Sequence, residues 1–293
     1  SRPVGGEAAA TRLATNGAMA EWSPDGSRIA FVSTVGDKYK LMSMSASGGE
    51  AKPVSNDDLT PPAYSLMPYN RVQTADFSWS PDGSRIAFIS AKDSVKNVVV
   101  ARTDGSGEAD ITQNAEKGRT FACPMWSPDG KYIAVTSSDG GAFVRALVID
   151  ADTRETREVM RTTAFARLIG WAGIHELIFA TLQTKMASLP PETTIVQVDT
   201  VAGAMRTVAL LKEAYLYNIH LGPGGKTIAY AAHRDGRDNI WVMPVAGGAE
   251  KKVTSNNDSR LYFSGLTWAS NGNSIFFGKQ MRYSLLSMVT NLK

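Results

Sequence analysis

The chain has 293 residues, of which 43% are hydrophobic and 20% are charged, and its formal net charge is +3. This composition is that of a globular protein and excludes long disordered segments. The small charge argues against the concentrated basic surface of a nucleic-acid-binding protein, and no apolar run approaches the roughly 20 residues that a membrane span needs.

The length suits either two average domains or one large all-β domain. The first residues, SRPVGGEAAATRLA, lack the apolar core of a signal peptide, and the chain starts without Met. We therefore expect the chain to be a fragment of a longer protein.

A ten-residue repeat begins near the start of the chain. The letters WSPDGSRIAF run from Trp22 to Phe31 and again from Trp79 to Phe88, and a near copy, WSPDGKYIAV, starts at Trp126. Ser-Pro-Asp-Gly predicts a tight turn, because Pro presets φ and Gly supplies the positive φ that closes it. Each copy is therefore a predicted β-hairpin, and the unbroken apolar run IAF predicts burial on both faces, between two similar sheets.

Three degenerate copies follow, namely WAGIHELIFA, LGPGGKTIAY and WASNGNSIFF, each with an altered turn. The six anchors of the inner strands are Trp22, Trp79, Trp126, Trp171, Leu221 and Trp268. Their spacings of 57, 47, 45, 50 and 47 residues match the period of a four-stranded propeller blade.

The remainder of each period also fits a blade. A third strand such as KLMSMSASGG follows the hairpin, and a short fourth strand such as AKPVS follows the next turn. The last repeat has only a third strand, YSLLSMV, whereas ATRLAT at residues 10–15 has the fourth-strand pattern and would close the ring. The sequence therefore predicts an all-β fold, in which residues 1–293 form one six-bladed β-propeller of four-stranded blades, closed by the N-terminal strand joining the last blade.

The pattern W-S-P-D-G-x-x-I-A-F, followed by a strand and a Gly-Gly turn, resembles the WD-like Pro-Asp repeat of TolB-type β-propellers from about Thr11 to Val289. This resemblance implies a propeller that is often exported and usually works by binding. Similar propellers form the exported sensor part of bacterial membrane-anchored kinases and transcription regulators. We therefore expect a non-catalytic sensor or scaffold domain, periplasmic or extracellular, that belongs to a larger bacterial protein.

One face of such a propeller carries the loops from strand four to the next strand one and from strand two to strand three, and we call it the top face. Two of its loops, residues 57–73 and 183–191, are longer than the repeat requires. Arginines and aromatic residues recur in the first loop and just before the inner strands. The candidate ligand-binding residues are Tyr64, Tyr69, Arg71, Arg119, Arg167, Tyr215, Tyr217, Arg260 and Tyr262.

Ring closure would gather these side chains at the mouth of the central channel. The arginine fork suits a carboxylate or phosphate, and aromatic faces offer stacking area. The pattern predicts a pocket for an anionic small molecule or peptide, or a surface for a protein partner, with no cofactor. Alternatively, the same side chains pack between blades or pair with acids such as Asp76 and Asp258.

Two histidines suggest an enzymatic function as the alternative to the binding function. His220 directly precedes an inner-strand anchor, and His233 lies in a loop between strands two and three, so both could meet near the top face. Some polysaccharide lyases of propeller fold hold a metal with channel histidines, which makes a metal-dependent carbohydrate-active enzyme the alternative function.

Other chemistry is absent from the sequence or has a structural explanation. The chain contains neither the G-x-S-x-G nucleophile elbow nor a phosphate-binding loop. Cys123 suits a buried small hydrophobe. The aspartates of the Pro-Asp-Gly turns, Asp25, Asp82 and Asp129, recur because the turn favours them.

Overall fold

The computed structural model describes residues 13–56, 58–59, 76–92, 95–113, 118–140, 143–182, 192–269 and 271–281. Within these residues the chain is all-β, apart from a short 3-10 turn at Pro223–Gly225. The described strands form five four-stranded sheets and one two-stranded sheet, and every strand pair is antiparallel.

Each sheet uses consecutive strands of the chain. The strands of the first three sheets are β1 (Gly17–Trp22), β2 (Arg28–Val35), β3 (Lys38–Ser45), β4 (Lys52–Pro53), β5 (Phe77–Trp79), β6 (Arg85–Lys92), β7 (Val95–Arg102), β8 (Glu108–Asp110), β9 (Thr120–Trp126), β10 (Tyr132–Ser138), β11 (Val144–Asp150) and β12 (Thr156–Thr162). Those of the last three are β13 (Phe165–Trp171), β14 (Glu176–Leu182), β15 (Glu192–Asp199), β16 (Met205–Lys212), β17 (Ala214–Leu221), β18 (Thr227–Arg234), β19 (Arg237–Pro244), β20 (Lys251–Lys252), β21 (Leu261–Trp268) and β22 (Ile275–Met281).

The first strands of neighbouring sheets contact one another along the chain, β5 with β9, β9 with β13, β13 with β17 and β17 with β21. The sheets therefore stand as blades around a common axis, with the first strand of each blade innermost. The sequence predicted six four-stranded blades, whereas the described residues show five. The sixth anchor, Trp268, ends the inner strand of the two-stranded sheet.

The predicted hairpins are confirmed, because all six anchors end a first strand that pairs with the next strand. The predicted third and fourth strands are present in the first five blades. YSLLSMV and residues 10–12 lie outside the described residues. Residues 13–15 are described but belong to no strand, and Leu13 packs against the first blade beside Ile29 and Phe31. The expected closure of the ring is thus not shown.

The Ser-Pro-Asp-Gly turns keep one hydrogen-bond pattern in three blades. In the first, the Ser23 hydroxyl donates to Asp25 Oδ1 at 2.6 Å and accepts from the backbone N–H of Arg28 at 2.9 Å. Gly26 closes the turn with a φ of 72°. The same bonds recur around Ser80 and Ser127. The aspartates therefore have the structural role that the turn chemistry predicts.

The apolar run of each second strand is buried on both faces, as its lack of alternation predicts. In β6, Ile86 and Phe88 pack against the first blade, whereas Ala87 and Ile89 pack against the third. All four side chains are fully buried. Burying each large apolar side chain stabilises the fold by about 1.5–3 kcal/mol, so the inter-blade clusters form the core.

The anchor tryptophans also join neighbouring blades by hydrogen bonds. In three of them, the indole N–H donates to the carbonyl of the residue that precedes the anchor in the previous blade, whereas the buried indole N–H of Trp126 has no partner among the described residues. The three such bonds are Trp79 to Glu21 at 3.4 Å, Trp171 to Met125 at 3.1 Å and Trp268 to His220 at 3.3 Å. Trp22, by contrast, is 53% exposed.

Two adjacent glycines test how closely the fourth and fifth blades approach. A Cβ on Gly225 would lie 2.5 Å from Ala172 Cα, whereas a Cβ on Gly224 would meet nothing within 4 Å, and both residues have positive φ. We expect Gly224→Ala to lower the free energy of unfolding by about 1 kcal/mol, because of backbone strain. Gly225→Ala should lower it by about 3 kcal/mol, because overpacking adds to the same strain. Urea unfolding of both variants measures the two changes, and equal changes would contradict the close approach of the two blades.

Candidate functional site

Arg167 joins the inner strands of the fourth and fifth blades. It is the third residue of β13, and its Nη1 donates to the backbone carbonyls of Leu216 at 3.2 Å and Ile219 at 3.0 Å, both on β17. The guanidinium also lies over the ring of Tyr217, 6.0 Å from its centroid. Arg167 is thereby held in a defined position beside the propeller axis.

Among the described residues, the other edge of this guanidinium makes no hydrogen bond. Both bonds leave from Nη1, and the buried Nε has no partner in this part of the chain. No ion pair joins Arg167 to a carboxylate of the described residues. Burial lowers the pKa of Arg167, because desolvation penalises the charged form. The guanidinium therefore keeps a positive charge that no carboxylate of the described residues balances, and its Nε is covered by protein atoms.

His220 follows Ile219, whose carbonyl accepts a hydrogen bond from Arg167. Its Nε2 is buried and has no hydrogen-bond partner among the described residues. Burial and, to a smaller extent, the charge of Arg167 lower the pKa of the imidazole to about 3, although the backbone of Tyr217 opposes this shift. The ring is therefore neutral at pH 7.

Cys123 and Asp76 extend the polar cluster to the second and third blades. The backbone N–H of Cys123 donates to Asp76 Oδ1 at 3.2 Å, and Cys123 adopts a φ of 53°. Burial and the neighbouring Asp76 raise the pKa of the thiol to about 11. The thiol is thus protonated at neutral pH. Cys123 is half-buried and packs against the core between the third and fourth blades, where the sequence predicted a buried small side chain.

Aromatic rings stand beside Arg167. Phe165 is two residues earlier on the same strand and is 43% exposed, although it is a large apolar side chain. Its ring meets that of Tyr217 edge to face, with centroids 6.4 Å apart. The unpaired cation and the exposed aromatic surface thus lie together.

A second polar group joins the fifth and sixth sheets around Asp238, which is fully buried. His233 Nδ1 lies 2.7 Å from Asp238 Oδ1, and the Tyr215 hydroxyl donates to the same oxygen at 3.3 Å. The backbone N–H of Phe263 donates to Oδ2 at 3.0 Å. The ring of Tyr262 stacks on that of His233 with centroids 6.1 Å apart. The Asp238 carboxylate thus accepts hydrogen bonds from the fifth and the sixth sheets, and these bonds stabilise the contact between the two sheets.

Arg260, Arg119 and the residues of the first long loop complete the predicted set. Arg260 is exposed and forms an ion pair with Asp258 at 2.8 Å within its own turn, one of the alternatives that the sequence left open. Arg119 lies half-buried directly before β9. Tyr64, Tyr69 and Arg71 lie outside the described residues.

The two candidate metal-binding histidines lie apart. His220 pairs with Ala229 of β18, so His233 is four residues farther along that strand. At 3.3 Å per residue, this register separates them by about 13 Å. Among the described residues, no group of three His, Cys, Asp or Glu side chains is placed to hold a metal ion.

Sequence reasoning missed the buried Asp238 and the half-buried Glu21 as acids with a structural setting of their own. Glu21 immediately precedes the anchor Trp22, as His220 precedes Leu221. Aligning the repeats on their anchors places both titratable residues in one column, and this signal was available in the sequence. Asp238 carries no such signal, because its hydrogen bonds depend on the neighbouring blade.

Comparison with known proteins supports the fold. No protein-family model matches the sequence, and no similar protein was found among curated sequences. TolB from Acinetobacter baumannii superimposes with a TM-score of 0.56 and 17% identity over 79% of this chain and 52% of that one. A TolB candidate from Agrobacterium tumefaciens gives 0.59 and 14% identity over 90% of both chains. An oligogalacturonate lyase in complex with manganese gives 0.63 and 12% identity over 86% of this chain and 67% of that one.

At these identities the comparisons show the fold alone, which is the TolB-like β-propeller fold. The chain spans about half the length of the Acinetobacter protein. Enzymes such as the lyase share the fold with the TolB proteins, so the fold establishes no function. Within the described residues, no helix has the length and apolar character of a membrane span.

Glu21 should make stability depend on pH. It is half-buried, and burial raises the pKa of its carboxyl from 4.5 to about 8. The folded state thus favours the neutral acid, and this stabilisation is complete below pH 4.5 and is lost as pH rises through 8. The loss is at most about 1.4 kcal/mol per pH unit.

We therefore expect Glu21→Gln, which cannot ionise, to match the natural chain near pH 4 and to exceed its stability near pH 9. Urea midpoints across this range measure the difference. A difference between the two proteins that is the same at every pH would contradict the raised pKa, because Glu21 would then have the same pKa in the folded and unfolded states.

Proposed function

We propose that this propeller is a non-catalytic binding module that holds an anionic small molecule or a peptide carboxylate at the top of its axis. The observation that carries the proposal is Arg167, a buried cation whose Nε has no partner and whose charge is met by no carboxylate of the described residues. A buried charge without a counterion is costly. A bound anion would remove this cost and complete the hydrogen bonds.

The surroundings of Arg167 favour a ligand with an apolar part. The exposed ring of Phe165 and the ring of Tyr217 stand next to the guanidinium. Aromatic surface of this kind contributes binding area at little cost in side-chain entropy. Arg119 and the loop residues Tyr64, Tyr69 and Arg71 stay predicted contributors to the same face, and a larger partner protein would reach them.

We further propose that the two-stranded sheet is the sixth blade of a closed ring, completed by YSLLSMV and by the strand expected at residues 10–15. Three anchor tryptophans donate to the carbonyl before the preceding anchor. The same geometry, continued around a ring, would direct the indole of Trp22 to the carbonyl of Thr267. Closure would remove the free edges of the terminal sheets.

The resemblance to exported sensor propellers suggests the setting of this activity. On that analogy the chain is the periplasmic or extracellular part of a larger bacterial protein, in which ligand binding is reported to another domain. The Gly-rich turns and uniform blade packing suit a rigid scaffold that presents loops for binding.

Arg167→Ala should weaken the binding of an aromatic carboxylate. Phenylacetate is a suitable probe, since it combines one carboxylate with one ring, and phenylacetamide is its neutral counterpart. Loss of a charged bidentate contact costs about 2 kcal/mol, which is about a thirtyfold rise in Kd. Titration calorimetry measures both ligands, and phenylacetamide should bind weakly to both proteins.

Arg260→Ala provides the matched control, because Arg260 lies on the same face but is already paired with Asp258. We expect its Kd for phenylacetate to equal that of the natural chain. Equal Kd values for the natural chain and Arg167→Ala would contradict the proposed role of Arg167. Manganese-dependent cleavage of oligogalacturonate by the purified protein would instead support the enzymatic alternative.

Trp22→Ala tests the closed ring. Trp171 is 7% exposed between two blades, and its truncation should cost about 3–5 kcal/mol. If the last blade packs on the first, Trp22→Ala should lower the free energy of unfolding by a similar amount, as measured by urea unfolding. A decrease below about 1 kcal/mol, which is typical of replacing an exposed side chain, would instead indicate that the first and last blades do not pack together.

A further inference from the structure

An open cavity of about 480 Å³ lies on the top face, between the fifth and the sixth sheets. Its lining combines polar residues 254–258, from the loop between β20 and β21, with Phe263, Phe277 and Lys279. This volume is within the range of pockets that hold small molecules. The lining shares no residue with the Arg167 site, so the two sites are distinct.

Lys279 occupies a position that a small side chain holds in each of the five four-stranded blades. The residue four places after the partner of each anchor is, in chain order, Ser33, Ser90, Ser137, Thr181 and Ala232. The last four of these are buried, whereas Lys279, at the same place in the sixth sheet, is exposed. Burying an unpaired ammonium group is costly, so a lysine here keeps the top of this junction open to water.

The charge of Lys279 has no counterion in the part of the chain that the structure describes. Phe277 and Ile275 pack against the fifth blade, and the two-residue period of a strand directs Lys279 to the same side. Its Nζ lies 5.9 Å from the centroid of the Phe277 ring, and no carboxylate of the described residues forms an ion pair with it. Asp258, the acid of the cavity, is already bound by Nε and Nη2 of Arg260. An unbalanced positive charge therefore lines the cavity.

Hydrogen bonds fix the loop that forms the opposite wall. Thr254 Oγ1 accepts from a backbone N–H of β19 at 2.9 Å, and Asn256 Nδ2 donates to a backbone carbonyl of the same strand at 3.1 Å. Ser255 and Asn257 also line the cavity, and their side chains enter neither of these bonds. A hydroxyl and an amide on a fixed loop thus share the cavity with the ammonium group.

We propose that this cavity is a second ligand site, which binds a small phosphate monoester through Lys279, with Ser255 and Asn257 as further hydrogen-bond donors. The organic part of the ester would lie against the ring of Phe277. This inference goes beyond the function proposed for Arg167 and does not depend on it.

Phosphate suits this set of groups better than other ligands do. A lysine ammonium is a compact charge with three rotatable donors, which can follow a tetrahedral phosphate, whereas a planar carboxylate matches the fork of an arginine. A neutral ligand would leave the charge of Lys279 unbalanced, and a cation would be repelled by it.

Phenyl phosphate is the probe for the test, and phenol is its neutral counterpart. Titration calorimetry of the natural chain in low-salt buffer should show saturable binding of phenyl phosphate and much weaker binding of phenol. Lys279→Met removes the charge and keeps most of the side-chain length. It should raise the Kd of phenyl phosphate about tenfold, which corresponds to the loss of one charge-assisted hydrogen bond at an exposed site.

Lys252→Met is the matched control, because Lys252 is exposed on β20 and does not line the cavity. Its Kd for phenyl phosphate should equal that of the natural chain. Absence of phenyl phosphate binding, or equally tight binding of phenol, would overturn the proposal. Equal increases of Kd in the two lysine variants would also overturn it, because they would indicate attraction by the overall charge alone.

Arg167→Ala separates this site from the one beside the axis. It should leave the Kd of phenyl phosphate unchanged, and Lys279→Met should leave the Kd of phenylacetate unchanged. A Kd of phenyl phosphate that rises in Arg167→Ala and not in Lys279→Met would overturn the second site. Failure of phenylacetate alone to bind would overturn only the function proposed for Arg167.

Discussion

Face-to-face packing of neighbouring blades is the interaction on which the rest of this structure depends. A single four-stranded sheet with apolar side chains on both faces cannot bury them alone. In β6, Ile86 and Phe88 serve one neighbour and Ala87 and Ile89 the other, so each blade completes the core of two others. Three anchor tryptophans, Trp79, Trp171 and Trp268, add a directed hydrogen bond to this packing, which sets the position of one inner strand against the next.

The candidate site is a consequence of that arrangement. Arg167 extends from the inner strand of one blade to backbone carbonyls of the next, where two hydrogen bonds from Nη1 hold it. Those bonds orient the guanidinium and leave its other edge without a partner. The candidate site therefore lies at a junction between repeats, where each blade contributes only part of the polar set.

Blade junctions also explain why similar residues have different roles. Arg260 and Arg167 both come near the start of an inner strand, but Arg260 has an acid two residues away and pairs with it. Asp238 is satisfied by a tyrosine and a histidine of its own blade and by a backbone N–H of the next. The pairing of Arg260 follows from its local sequence, whereas the hydrogen bonds of Asp238 depend on the neighbouring blade. The repeat pattern alone therefore could not predict both roles.

The sequence by itself determined the hairpins, the positions of the six anchors and the structural role of the turn aspartates, because turn chemistry and the two-residue period of a strand act over a few neighbours. It also predicted that the apolar runs are buried on both faces. Only the tertiary structure decided that Arg167 binds backbone carbonyls of the next blade, that Arg260 is paired, and that His220 and His233 lie apart. Those outcomes depend on how far each strand is displaced against the next and on which side chain faces which blade, and the residues involved are distant in the chain.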